Sequence, residues 1–163
     1  RPDALISADG ALVGLAGPEG RALSSPTGAG FAAQSWLEND GDLADQITAA
    51  ARPGFAGPKG ARVFALGPIR AVHLKGKGAA ERLADGCLTA QLVILSVPAG
   101  QVPDGCRVID SDDLAESGPL ALWVAPDGVL RIVATDVADR LWSGKGKDPE
   151  RREREDRLAG DDP

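Results

Sequence analysis

The 163-residue chain contains no methionine and no tyrosine, only three tryptophans and three phenylalanines, one histidine and two cysteines. Each scarcity removes something. With no Met to initiate it, the polypeptide is expected to be a mature product or a piece of a longer chain. A single histidine excludes the clustered zinc sites that need H-x-H or H-E-x-x-H. Six aromatics leave few platforms on which nucleobases could stack. No run approaches the roughly 18 to 20 consecutive apolar residues that span a bilayer, and the residues given are expected neither to cross a membrane nor to carry a signal peptide. The best run is "AQLVILSV", Ala90 to Val97.

Against these absences, 43% of residues are apolar and 26% charged, the balance of a folded globular chain rather than a disordered one. Twenty-one glycines and twelve prolines imply many turns between short elements. The length suits one domain, taken as residues 1–144. Residues 145–163 carry six basic and seven acidic side chains and almost nothing apolar. They read as a polar disordered tail, with a transient helix through Glu150 to Leu158.

Hydropathy patterning orders the domain. Residues 4–24 are apolar runs broken at Asp9-Gly10 and Glu19-Gly20, which predicts a three-stranded meander. "FAAQSWL" predicts a short helix with Ala32, Trp36 and Leu37 near one face, ending in "ENDGD". A second helix is expected over 42–52, capped by Asp42, with Leu43, Ile47 and Ala50 as its apolar stripe. "ARVFAL" and "IRAVHL" read as strands around Gly67-Pro68, and "AAERLADG" as a helix ended by Gly86. "AQLVILSV" reads as a strand buried on both faces. After the strand "CRVID", "SDDLAESG" predicts a serine-capped helix with an acidic first turn. "PLALWVAPDGVLRIVAT" predicts a closing hairpin turning at Pro126-Asp127-Gly128, with Leu120, Leu122 and Val124 on one face and Ala121 and Trp123 on the other. The class is α/β or α+β, with a mixed β-sheet and short helices.

Charge is distributed unevenly. The net charge is −6, yet between Arg52 and Arg82 lie seven basic residues (Arg52, Lys59, Arg62, Arg70, Lys75, Lys77, Arg82) and one acid, Glu81. That segment is therefore +6 and the remainder −12, which marks a candidate surface for a polyanion against the simpler alternative of a solvated face.

Motifs for other chemistry fail on spacing. Gly76-Lys77 is followed by Gly78-Ala79 rather than Ser or Thr, so it is no nucleotide P-loop, and the third glycine of G-x-G-x-x-G is Glu81. His73 has no Asp or Glu at i+2 or i+4 and reads as a hydrogen-bonded or half-exposed strand residue. Asn39, Asp40, Gly41 and Asp42 lack the order of a calcium loop and read as a helix-to-helix turn. No G-x-S-x-G is present. No catalytic residue, metal ligand or cofactor is assigned. Cys87 and Cys106, 19 positions apart, are either a disulfide or two buried thiols.

The succession "ALISADGALVGLAGPEGRAL", "FAAQSWLENDGD", "AERLADGCLTAQLVILS", "CRVIDSDDLAESGPLAL" and "DRLW" resembles the soluble C-terminal region of ComEC-type competence proteins, over residues 2–144. Those proteins are inner-membrane channels that carry single-stranded DNA during natural transformation. The resemblance implies a periplasmic domain in an oxidising setting, and partners that include single-stranded DNA, the channel portion of the same polypeptide and other competence proteins. It favours a disulfide between Cys87 and Cys106, which match the family's later cysteine pair; the earlier pair, near "GPKGARVFALG", is missing. Many members carry a metallo-β-lactamase-like domain suited to a nuclease. Here the H-x-H-x-D-H ligand motif is absent, so the expectation is a shortened, degenerate, metal-free derivative of that fold, with residues 62–142 similar to its second half. The expected role is non-enzymatic contact with DNA or partner proteins. The alternatives are a degenerate metallo-hydrolase or a purely structural brace.

Overall fold

Turns at Gly10 and Gly20, both with positive φ (71° and 106°), fold the N-terminal stretch into the expected meander of β1 (Ala4–Ile6), β2 (Val13–Leu15) and β3 (Ala22–Leu23). The computed structural model describes residues 1–135. The polar tail at 145–163, the helix at 150–158 and the "DRLW" motif lie outside the described residues. After the meander come α1 (Gly30–Asn39), α2 (Gln46–Ala50), β4 (Ala61–Leu66) and β5 (Ile69–Leu74). A turn of 3-10 helix at Ala80–Arg82 leads into α3 (Leu83–Thr89), followed by β6 (Leu92–Leu95), β7 (Arg107–Ile109), α4 (Ser111–Ser117), β8 (Leu120–Val124) and β9 (Leu130–Ala134).

The fold is mixed α/β, with two sheets where the sequence reading held one. β8 pairs antiparallel with β1, Ala4 opposite Leu122, giving an antiparallel sheet in the order β3-β2-β1-β8-β9. The second sheet, β4-β5-β6-β7, is mixed: β4 and β5 form a hairpin, while β6 and β7 run parallel to β5. Local patterning identifies each strand but holds no record of which distant strand it joins.

The sheets face each other across one core, Ile6, Val13 and Leu122 from the first against Phe64, Leu92 and Ile94 from the second. Helices close both outer faces. Ala33 and Leu37 of α1 and Ala49 of α2 cover Leu12 and Leu23, and Leu83 at the start of α3 packs on Val72, Leu74, Val93 and Leu95. β6 is therefore buried on both faces, as its unbroken apolar run requires. The closing hairpin also forms as expected. Gly128 (φ +87°) turns it, Leu120 and Leu122 enter the core, and the Arg131 guanidinium lies over the Trp123 ring at 4.4 Å on the other face.

Four local expectations are corrected. Asp45, not Asp42, caps α2 by accepting from the Thr48 N–H at 2.8 Å, because Asp42 is taken by Arg52. α2 is also too short to carry the expected stripe: Ala49 is its buried residue, while Leu43 and Ile47 are exposed. Asp110, not Ser111, caps α4 through a reciprocal pair of bonds with Asp113. Gly86 does not end α3. It lies inside the helix, where an added Cβ would meet Val72 Cγ1 at 3.3 Å and Leu74 Cδ1 at 3.5 Å, so its missing side chain sets how closely α3 approaches the sheet.

Cys87 and Cys106 form a disulfide with Cα atoms 5.5 Å apart. It ties α3 to the residue before β7 across the intervening β6, and both half-cystines pack against the outer core under α3.

Candidate anion-binding cleft

The β4–β5 hairpin decides which basic residues meet. Its register sets Arg62 opposite His73 and Ala61 opposite Leu74, so the chain entering β4 lies beside the chain leaving β5. Lys59 and Arg62 thereby come together with Lys75 and Lys77, and Arg82 follows from the 3-10 turn. The five cations line a cleft of about 530 Å³, whose other wall is Ser24, Ser25 and Pro26, beyond β3 of the opposite sheet. Among the described residues no Asp or Glu lines it, and none of the five cations forms an ion pair.

Arg52 and Arg70 lie outside the cleft. The Arg52 guanidinium binds Asp42 through two nitrogens, Nη2 at 3.1 Å, and donates from Nη1 to the Arg21 carbonyl at 3.0 Å, fastening the end of α2 to the chain entering β3. That pairing holds the Asp42 carboxyl below the usual range. Arg70 pairs with Ala65 at the other end of the hairpin, an odd number of residues from Lys75 and so on the opposite face of the strand.

Two of the cleft cations are held in place. Lys75 Nζ donates to Ser25 Oγ at 3.2 Å and to the Thr27 carbonyl at 3.0 Å, bridging the two walls. Burial pushes the Lys75 ammonium down, and Lys59 adds like-charge repulsion, against the attraction of Asp9. The Arg62 guanidinium donates to the Gly57 and Phe55 carbonyls, which fixes the loop before β4. Lys59, Lys77 and Arg82 are exposed and make no side-chain hydrogen bond within the described chain.

His73 forms the buried floor, 1% exposed. Its Nε2 lies 2.7 Å from the Gly10 carbonyl, which only accepts, so Nε2 carries the proton and donates. Nδ1 then accepts from Ser24 Oγ at 3.0 Å, and Ser24 Oγ in turn accepts from the Val13 N–H at 2.9 Å. The chain of bonds staples β5 to the first sheet. Burial drives the imidazole down to about 4, with the charge on Lys75 adding to it, so the ring is neutral at pH 7. The expectation of a hydrogen-bonded strand histidine holds, in its buried form. Among the described residues no three His, Cys, Asp or Glu side chains gather where they could hold a metal ion.

The acidic loop "LENDGD" is also explained by pairing. Arg21, 2% exposed, donates from Nε to Asp40 Oδ2 at 2.7 Å and from Nη2 to Asp40 Oδ1 at 3.3 Å, so Asp40 and Asp42 each neutralise an arginine. Sequence reading missed Arg21. The missed signal was glycine at position 14, where the Arg21 stem and the Trp36 ring occupy the space a Cβ would need.

No protein-family model, curated relative or solved structure matches this chain. Among the described residues no helix is long and apolar enough to cross a membrane.

Proposed function

We propose that this chain is a non-enzymatic domain of an inner-membrane DNA uptake channel of the ComEC type, on the periplasmic side, and that it contacts incoming single-stranded DNA through the basic cleft. The observation that carries the reading is the convergence of Lys59, Arg62, Lys75, Lys77 and Arg82 on one cleft with no lining carboxylate, in a protein whose net charge is −6. An acidic protein gains nothing in folding by gathering five cations, which repel one another; an anionic partner relieves that repulsion. The disulfide accords with an oxidising compartment. The channel portion of the polypeptide and other competence proteins are the further partners.

Phosphates bound by three to five cations release counterions, so the affinity for a labelled single strand should fall with a log–log salt slope of about −2 to −3.5. The triple variant Lys75→Gln, Lys77→Gln, Arg82→Gln should bind at least tenfold more weakly, with a shallower slope, when anisotropy is followed across a salt series. Binding that ignores salt, or no binding, removes the DNA role and leaves partner docking. Cleavage of the strand by the purified protein that requires an added divalent metal and is abolished by chelation would establish the hydrolase alternative instead.

A further inference from the structure

A second concavity, about 580 Å³, shares no lining residue with the cationic cleft. It lies between α1 and the outer face of the first sheet. Leu5 of β1 lines it, on the side of the strand away from the core residues Ala4 and Ile6. Phe31, Ser35 and Asn39 line it from α1, each about one helical turn from the next, with Trp36 beside them. Phe31 is 87% exposed, a large apolar ring left in water on a helix that buries Ala33 and Leu37.

Arg21 supplies the polar group of this pocket. Its side chain leaves the backbone just before β3 and crosses β2 where Gly14 has no side chain, for a Cβ there would stand 2.9 Å from Arg21 Cδ. Leu5 is opposite Gly14 in the sheet, so a stem that runs from β3 over β2 carries its guanidinium toward β1 and the pocket, which Arg21 and Asp40 both line. Asp40 takes Nε and Nη2. Nη1 is the one buried side-chain nitrogen or oxygen without a hydrogen-bond partner among the described residues. A buried N–H left without an acceptor destabilises the fold, and an acceptor brought in through the pocket removes that penalty.

The chemistry of the acceptor follows from the charges around it. Asp40 already neutralises the guanidinium, and the exposed Arg1 approaches Asp40 only at 3.9 Å, so a carboxylate or phosphate at Nη1 would face the Asp40 charge. An uncharged carbonyl meets no such repulsion. A peptide offers such carbonyls, apolar side chains next to them for the aromatic wall, and N–H groups for the Ser35 and Asn39 side-chain oxygens. We infer that the pocket docks an uncharged peptide segment of a partner protein, with a large apolar side chain against Phe31 and Trp36 and a neighbouring main-chain carbonyl accepting from Arg21 Nη1. The inference does not depend on the reading of the cleft as a DNA site.

The test titrates the isotopically labelled 163-residue protein with acetyl-Gly-Phe-Gly-amide, acetyl-Gly-Ala-Gly-amide and acetyl-Asp-Phe-Asp-amide, following the Arg21 Nε–H and Trp36 indole N–H resonances by NMR. The uncharged phenylalanine peptide should shift both resonances saturably, and the alanine and aspartate peptides should bind roughly fivefold more weakly or worse. Phe31→Ser, at an exposed position, should keep the wild-type melting temperature and weaken the phenylalanine peptide by roughly the same factor. Arg21→Met combined with Asp40→Leu removes the donor together with its counter-charge, and should also weaken binding roughly fivefold, read from the Trp36 indole. No saturable shift at millimolar peptide, equal binding of the alanine or the aspartate peptide, or undiminished binding in either variant would overturn the inference.

Discussion

Acidification should unfold this protein earlier than its carboxylates require, because His73 is buried in its neutral form. In the unfolded chain the imidazole titrates near 6.5, and burial lowers it to about 4 in the folded protein. A histidine with a depressed folded value binds its proton more tightly when unfolded. The stability it allows is therefore complete above pH 6.5 and is lost as pH falls from there toward 4. At about 1.4 kcal/mol per unit, the gap corresponds to a loss of about 3 kcal/mol when complete and about 2 kcal/mol at pH 5. Asp9 acts lower. Burial raises its carboxyl, but hydrogen bonds from Ser7 Oγ and the Ala11 N–H, with Lys75 nearby, outweigh this and hold it below 3.8. It and the other lowered carboxylates, Asp42, Asp45 and Asp110, give up stability mainly below pH 5, whereas the raised Asp113 acts in the opposite sense. Urea titrations at half-unit steps from pH 7.5 to 4.5, on wild type and His73→Gln, separate these terms. The wild type should lose about 2 kcal/mol between pH 7 and 5. His73→Gln should be less stable at pH 7, because the bonds to Gly10 and Ser24 are disturbed, and nearly flat over the same window. A flat wild-type profile, or the same slope in both proteins, refutes the buried neutral histidine.

Two further outcomes follow from the cross-links of the fold. Replacing both Cys87 and Cys106 by Ala should lower unfolding stability by roughly 3 kcal/mol, the loop-closure value for a bridge spanning 19 positions, measured by urea titration beside the oxidised wild type. Asp40→Asn should cost about 3 kcal/mol because it leaves the Arg21 charge buried, and Arg21→Met combined with Asp40→Leu should recover a large part of that loss. A stability loss under 1 kcal/mol in the Asp40 variant would mean that the guanidinium finds water in place of its partner.

Wherever one strand and its neighbours in sequence suffice, the pattern was legible. The meander turns at Gly10 and Gly20, the doubly buried β6 and the Pro126–Gly128 hairpin each follow from local residue choice. The cap of α2 was misread because Asp42 and Asp45 are equally good caps in sequence, and only Arg52, ten residues beyond Asp42, decides between them. Half of the cleft was present in the sequence as well. Residues equidistant from the Gly67-Pro68 turn face each other, which groups Lys59 and Arg62 with Lys75 and Lys77 and sets Arg70 apart. The other half was not, since Ser24, Ser25 and Pro26 reach it only when the two sheets pack.

By itself the sequence determined the strands and most of the helices, the concentration of positive charge between Arg52 and Arg82, and the two cysteines available for a bridge. Those properties depend on periodicity and turn chemistry, which act within a few residues. Tertiary structure decided that the chain makes two sheets, that Arg52 and Arg70 leave the basic group while five others share a cleft, and that His73 is a buried, neutral staple rather than half-exposed. These depend on which distant surfaces exclude water from one another, and that is settled only when the sheets meet.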